Sequence, residues 1–563
     1  MITLVGNSTT KEEEVPLQVR SLFSEYKSIE SPTISEYISS IPNKFSEALD
    51  ILLSPWFSTN FSSTDYTLVN RIRLGQYIRE FHSQAGTLSP AVNDSISMLS
   101  DRFSKILVSI HQPNLFAYSG IYKKIILLEA LRSVAESKNP NAKLINLFLI
   151  VDHDFLDDLW IRMAQLPSIR HKAGIFEIRT LVNKSKRWQM VCNTPPPPRS
   201  ILESWRKQIK LWIKNASTNK FDKTVLLRNF DELWAVVEEA YARSKTYADF
   251  NAFFLSKVVS GIWDYKTLFV RLSDISPVFD KGYEFLLSHY NTYSAAVEKA
   301  EKFFLQRNIN TGVSSTAYLN APVWIHCKCG SKASAKVSKV ENQDFLVRGK
   351  CMSCKNDLQI EFKDSGLFEL SEEVIQKISP RAIPILLLLS RELGIGCYAS
   401  GTGGSTGYSL LGSLIFKELS IKMPLTVAWP SEDVYVGLGQ SEALEHLQLK
   451  QVDDVLNYMQ ELRLEDSVRS KEIRPLLMER DRLIRQGKPI DGILSELILL
   501  KEEQRKIHKM IKVVEKANNC LHVRPCMIDY GVNFGLKSVE TLWRQNLIRN
   551  NNLMLPTVLS TKD

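Results

Sequence analysis

An α/β protein with a small metal-ribbon insertion and a C-terminal helical arm is what three patterns in this 563-residue chain predict. A strand–helix–strand succession occupies 106–152, two close cysteine pairs lie within 327–354, and apolar residues repeat in heptads over 493–514. The length exceeds one ordinary core, so roughly two to four units are expected. With 44% apolar and 24% charged residues, most of the chain can fold. The net charge of +9 permits an acidic ligand or nucleic acid, but no dense Lys/Arg tract marks a polyanion track.

The elements follow in order. Residues 1–104 read as mostly helical, as in "IPNKFSEALDILLSPWFS". "KILVSI" is a strand, "YKKIILLEALRSVAES" a helix and "KLINLFLIVD" a second strand. Such a βαβ unit implies a parallel sheet, whose ligands bind beyond the carboxyl ends of the strands. "IHQPNLFAYSGIYKK" begins at one such end and "VDHDFLDD" at the next. "CNTPPPPRS" is a stiff extended loop, 230–263 is helical, and "TLFVRLSD" is a further strand. After the cysteine insert, 379–419 runs helix, glycine loop, helix, and "MPLTVAWP" is another strand. The expected units are 1–104, 105–321 (core with connecting insertions), 322–364 (ribbon), 365–445 (core with glycine loop), 446–518 (helical arm) and 519–563 (return to the core).

Cys327-x-Cys329 and Cys351-x-x-Cys354 are separated as two knuckles of a zinc ribbon are. Four thiolates close the coordination sphere, so a structural Zn²⁺ is expected, with His326 a bystander. The ribbon's lysines suit nucleic acid, but its few aromatics favour a brace or a cover for a neighbouring site. In "SGTGGSTGYS" four glycines fall within seven residues ahead of a helix, where backbone N–H groups can hold an anion. It is neither a Walker motif nor a dinucleotide fingerprint. "VDHDFLDD" sets His153 between Asp152 and Asp154, an arrangement that can orient an imidazole and make it more basic. His111, Gln112 and Asn114 at the neighbouring strand end complete a polar lip. His111 or His153, with Asp154, is the acid–base candidate; Gln112 and Asn114 orient a ligand; and Gly401, Thr402, Gly403, Gly404 and Tyr408 hold its anionic group. Ile493, Leu497, Leu500, Gln504, Ile507, Ile511 and Val514 form a heptad seam, read as an antiparallel hairpin that packs on its own domain or pairs with a second copy.

"HQPNLFAYSGIYKKIILLEAL" followed by "LFLIVDHDFLDD" resembles the bacillithiol-biosynthesis cysteine-adding enzymes, the BshC family of cysteine ligases. There a strand ends in a Gln-Gln-Pro-Gly-Leu-Phe-like loop before a Tyr-Lys helix, and a second strand ends in Asp-His-Asp-Phe. "TYADFNAFFLSKVVSGIWDYKTLFVRLSD" and "SPRAIPILLLLSREL" with its glycine loop agree in order, so the resemblance covers 30–540. His111 stands where the family commonly has Gln, Asn114 replaces a Gly, and the ribbon is an addition, which marks a divergent member. The resemblance implies a Rossmann-like, nucleotidyltransferase-type core, a coiled-coil dimerisation arm, and addition of cysteine to glucosaminyl-malate. It also implies that Tyr122 and Lys123 line the pocket, beside Asp152 of the second strand end. Nucleotide activation, by ATP or ADP, is the natural chemistry for such a core, though the sequence shows neither which nucleotide nor whether one is used.

Two other readings stay open: another nucleotide-dependent small-molecule ligase or nucleotidyltransferase, and a zinc-ribbon RNA-binding or scaffold protein on a decayed core. "MITLVGNSTTKEEEVP" has no signal-peptide features, and no apolar run reaches the roughly 18–20 residues of a membrane span. A cytoplasmic homodimer without membrane contact is therefore expected, acting on small molecules rather than on nucleic acid.

Overall fold

The structure, a computed structural model, describes residues 23–26, 29–312, 317–339, 345–362 and 370–559. The opening residues on which the targeting expectation rests lie outside them. The protein is mixed α/β, built on a five-stranded sheet that is parallel throughout. β1 (Lys105–His111) leads through α1 (Ser119–Lys138) to β2 (Leu144–Ile150), and the chain later adds β3 (Leu268–Arg271) beside β2. A second sheet follows, antiparallel, from β4 (Val323–His326), β5 (Lys332–Lys339), β6 (Phe345–Cys351), β7 (Asp357–Phe362) and β8 (Ile378–Pro380). The chain then returns through α2 (Ala382–Leu393), β9 (Cys397–Ser400), α3 (Ser409–Glu418) and β10 (Leu425–Ala428) to the other side of β1. The order across the central sheet is β10-β9-β1-β2-β3.

Every residue of β2 is buried, and so is nearly all of α1 up to Arg132. A strand covered on both faces must be continuously apolar, as "LINLFLI" is. The chain crosses from β1 to β2 on one side and later adds β9 on the other. β1 and β9 therefore diverge at their carboxyl ends, and such a switch point opens a crevice.

The ribbon sheet is larger than the 322–364 boundary allows. β8, expected in the core continuation, pairs with β4 and completes it. Backbone bonds bind it to the core: Met190 N–H donates to the Gly330 carbonyl at 2.9 Å.

Toward the C-terminus, α4 (Val452–Arg485) and α5 (Asp491–His522) run antiparallel as a hairpin, and α6 (Met527–Phe534) follows. Ile507, Ile511 and Val514 of the heptad seam pack with Val455, Met459 and Leu462 of α4. The polar seam residue Gln504 donates to Asp466 Oδ1 at 3.0 Å and to Ser470 Oγ at 2.9 Å. This stretch of the seam is consumed inside one chain.

Candidate functional site

A cavity of about 580 Å³ fills the crevice between β1 and β9. Its floor is the turn after β1. Pro113 and a buried Phe116 with φ +48° bend the backbone there. A positive φ is costly for an aromatic residue. Here it is held by packing against Trp205, Trp234, Phe250 and Phe254, and by Met527 N–H, which donates to the Phe116 carbonyl at 2.9 Å. The bend places His111, Gln112 and Asn114 on the cavity wall. His111 Nδ1 donates to the Gln112 carbonyl at 3.1 Å, which leaves Nε2 to accept from the Tyr118 hydroxyl at 3.0 Å. Gln112 Nε2 donates to Asp154 Oδ2 at 2.6 Å, so the two strand-end turns are joined directly. Asn114 Oδ1 is buried and has no partner at full hydrogen-bond geometry among the described residues, with His111 its near neighbour, which leaves it acceptor capacity for a ligand.

The glycine segment forms the opposite wall. It is already helical from Thr402, with a widened turn over Gly404–Tyr408 that runs into α3. Its glycines fall into two kinds. A Cβ at Gly404 would meet Ser400 Oγ at 2.4 Å, and one at Gly407 the Thr311 carbonyl oxygen at 2.5 Å. Gly401 and Gly403 face nothing within 4 Å, although both line the cavity. Their missing side chains leave room for a ligand to reach backbone N–H groups at the start of a helix. Thr402 donates to Glu432 at 3.1 Å, and Glu432 in turn pairs with Arg524 at 2.7 Å. Tyr408 also lines the cavity.

The ribbon closes the third side through Trp324 and Lys332. Lys332 is buried, lies 3.6 Å from Asp154 Oδ1, and sits over the rings of Trp324 and Phe155 at 4.5 and 4.9 Å. Cys327 and Cys354 Sγ are 3.5 Å apart, as are Cys329 and Cys351 Sγ, and all four lie within 4.8 Å of one another. A tetrahedral site with Zn–S bonds of about 2.3 Å has sulfur–sulfur edges of about 3.8 Å, so the four thiols fit one metal ion. His326 turns away from them, toward Ser379 and the ring of His153, 4.6 Å away.

Four expectations are corrected by the structure. Asp152, His153 and Asp154 do not act as one unit. Successive side chains diverge: Asp152 accepts from Ser273, His153 faces His326, and Asp154 meets Gln112 and Lys332. Instead of being made basic, His153 is pushed well below the usual imidazole range, by burial first and then by His326 and Lys332. His111 is lowered to about 3, chiefly by burial, with Lys124 adding to the effect. Both rings are neutral at ordinary pH. Asp152, whose carboxyl burial raises to about 7, is not on the cavity wall.

Tyr122 and Lys123 are likewise buried away from the cavity. Tyr122 packs against Trp263, and Lys123 pairs with Asp433 at 2.9 Å over the ring of Trp429. The lysine of α1 that lines the cavity is the next one, Lys124. Helical spacing carries the signal for it. Lys124 is four residues after Gly120, which also lines the cavity, while position 123 points elsewhere on the helix. Trp324 and Arg524, far off in sequence, offered no such local signal.

No protein-family model matches the chain, and no curated protein matches it significantly. Among the described residues no helix is long and apolar enough to cross a membrane.

Proposed function

We propose that the protein is a ligase that joins cysteine to an amino-sugar acceptor of the glucosaminyl-malate type, in the making of a bacillithiol-like thiol. One observation carries the reading: the segments of the resemblance, around His111, His153 and Gly401, are far apart in the chain yet line one cavity. Its volume suits a small polar molecule. Lys332 and Arg524 supply cations for carboxylates, and Asn114 supplies a buried acceptor. On this reading the parallel sheet is a Rossmann-like core of the nucleotidyltransferase kind. ATP activates the acid as an acyl phosphate or acyl adenylate, whose anionic group lies at Gly401–Gly404. Gln112 and Asp154 hold the acceptor, and the neutral His111 and His153 serve as hydrogen-bonding groups.

The four cysteines hold a structural Zn²⁺ on this reading. A closed four-thiolate set leaves no position for substrate, so the metal shapes the ribbon and takes no chemical step. A reducing, cytoplasmic compartment suits such thiolates. The arm pairs with a second copy through α4 and α5, where Met478, Ile484, Ile498 and Leu499 are more than half exposed. Sedimentation of an Ile498→Asp, Leu499→Asp variant tests that pairing: the mass halves, or the arm is no dimer contact.

The function is tested by mass spectrometry of the zinc-loaded protein incubated with cysteine and glucosaminyl-malate, with and without ATP. A condensed thiol is expected with ATP, and none with Asp154→Ala. A folded, loaded protein that yields no product refutes the proposal.

A further inference from the structure

We propose that Lys124 is the group that takes the proton from the attacking amine as the amide bond forms. The inference rests on the ligase reading above and names a residue for its central step.

Lys124 is buried in α1, and its Nζ donates to the Ile110 carbonyl at 2.8 Å. Both residues line the cavity. Among the described residues no carboxylate lies within ion-pair reach of it, whereas Lys123 has Asp433 and Lys332 has Asp154. An ammonium so placed has lost its hydration and gained a single carbonyl. Burial accordingly lowers this amine to about 7. The titratable groups around the same cavity do not compete for the role. His111 at the end of β1 and His153 beyond β2 are held neutral far below that range. Tyr118 of the turn, Tyr398 of β9 and Tyr408 are raised by burial above the usual phenol range. Asp154 is engaged by Gln112 and Lys332, and Arg524 is engaged by Glu432.

The step balances as follows. The nitrogen lone pair of the amine attacks the carbonyl carbon of an acyl phosphate or acyl adenylate, made from the acid and a nucleoside triphosphate. The C–N bond forms, the carbonyl C–O bond to phosphorus breaks, and phosphate or the nucleotide leaves with that electron pair. The proton shed by nitrogen goes to Lys124 Nζ and from there to solvent.

Two measurements on the full-length, zinc-loaded protein decide the matter. In the first, acetic anhydride labels the protein across pH 6–10 with peptide mapping. Lys124 is expected to label with a midpoint near pH 7, about 3 units below an unperturbed lysine side chain. A midpoint above pH 9, or no labelling at any pH, overturns the inference whether or not the protein is a ligase. In the second, Lys124→Met and Lys124→Arg are assayed for condensation. Each is expected to lower kcat by about 10²–10⁴-fold, to leave KM for cysteine within a few-fold, and to abolish the acid limb of the pH profile near 7. Unchanged kcat in a folded variant overturns the role and spares the ligase. A wild-type protein that labels as expected but makes no condensed product removes the ligase reading, and the inferred step falls with it.

Discussion

The cavity has two walls of different origin. The sheet wall, from β1, β2 and β9, is made of turns that leave strands of the deep core. The ribbon wall, with Trp324 and Lys332, stands on short antiparallel strands gathered by four cysteines. The first wall is held by burial that extends through the whole domain. The second is gathered by the cysteine quartet and joined to the core by a limited set of buried side chains, among them Val323, Ile325 and Ile378, and by contacts with residues 154–155, 189–190 and 193. A site assembled this way should lose one wall without the other.

With Zn²⁺ held by the cysteine quartet, as proposed above, metal removal is the largest such perturbation. Structural zinc contributes about 10–16 kcal/mol in small zinc domains. A chelator, or Cys327→Ser with Cys354→Ser, should therefore unfold the ribbon and abolish activity while the parallel sheet survives. Hydrogen exchange should rise across residues 323–339 and 345–362 and stay low in β1, β2 and β9. Exchange rising equally in both sheets would show that the walls are one cooperative unit.

Next is the contact between the walls. Lys332→Met removes a buried cation but leaves Asp154, about a third exposed, still bonded to Gln112. A destabilisation of about 1–2 kcal/mol in urea unfolding is expected, less than for a fully buried pair. Acceptor KM should rise about tenfold or more, and an unchanged KM would place the ligand away from the ribbon.

The glycines sharpen the comparison within the sheet wall. Gly404→Ala must displace the Ser400 hydroxyl and should cost about 1–3 kcal/mol. Gly403→Ala meets nothing within 4 Å and should be neutral or stabilising by up to about 1 kcal/mol, yet weaken nucleotide binding. Thermal unfolding reads the stabilities and titration calorimetry with a nonhydrolysable ATP analogue the affinities, and equal affinity for the wild type and Gly403→Ala would remove the glycine segment from the site.

The last effect is one of pH. His111 is lowered to about 3 in the folded protein against about 6.5 unfolded, so between those values the unfolded chain binds more protons. Its contribution to stability is full above pH 6.5 and declines as pH falls toward 3. At pH 5 the loss is on the order of 1–2 kcal/mol. His111→Asn should flatten that slope in urea titrations at pH 7 and pH 5, and an unaltered slope would mean that the ring is solvated.

Much of this was legible in the chain. The βαβ unit, the cysteine quartet and the helical hairpin are local patterns whose period or spacing is itself the structural information. The cavity's strand-end residues follow from one topological rule. Choosing between Lys123 and Lys124 was harder, because neighbouring residues on a helix differ by about 100° in direction and only the packing of α1 sets the zero. The basicity expected of His153 failed for a related reason: adjacency in sequence is not adjacency of side chains. For Ile507, Ile511 and Val514 the seam's period was evident, but its partner, α4, was a matter of which surface lay nearest.

By itself, then, the sequence determined most element types, the parallel sheet with its polar strand ends, and a quartet of cysteines. Only the tertiary structure decided that the ribbon forms a wall of the cavity, that Lys124 rather than Lys123 faces into it, and that both histidines are neutral. Local backbone preferences and periodic burial act over a few residues and can be read in one dimension. Desolvation and the meeting of distant side chains depend on distances in space, which exist only once the chain has packed.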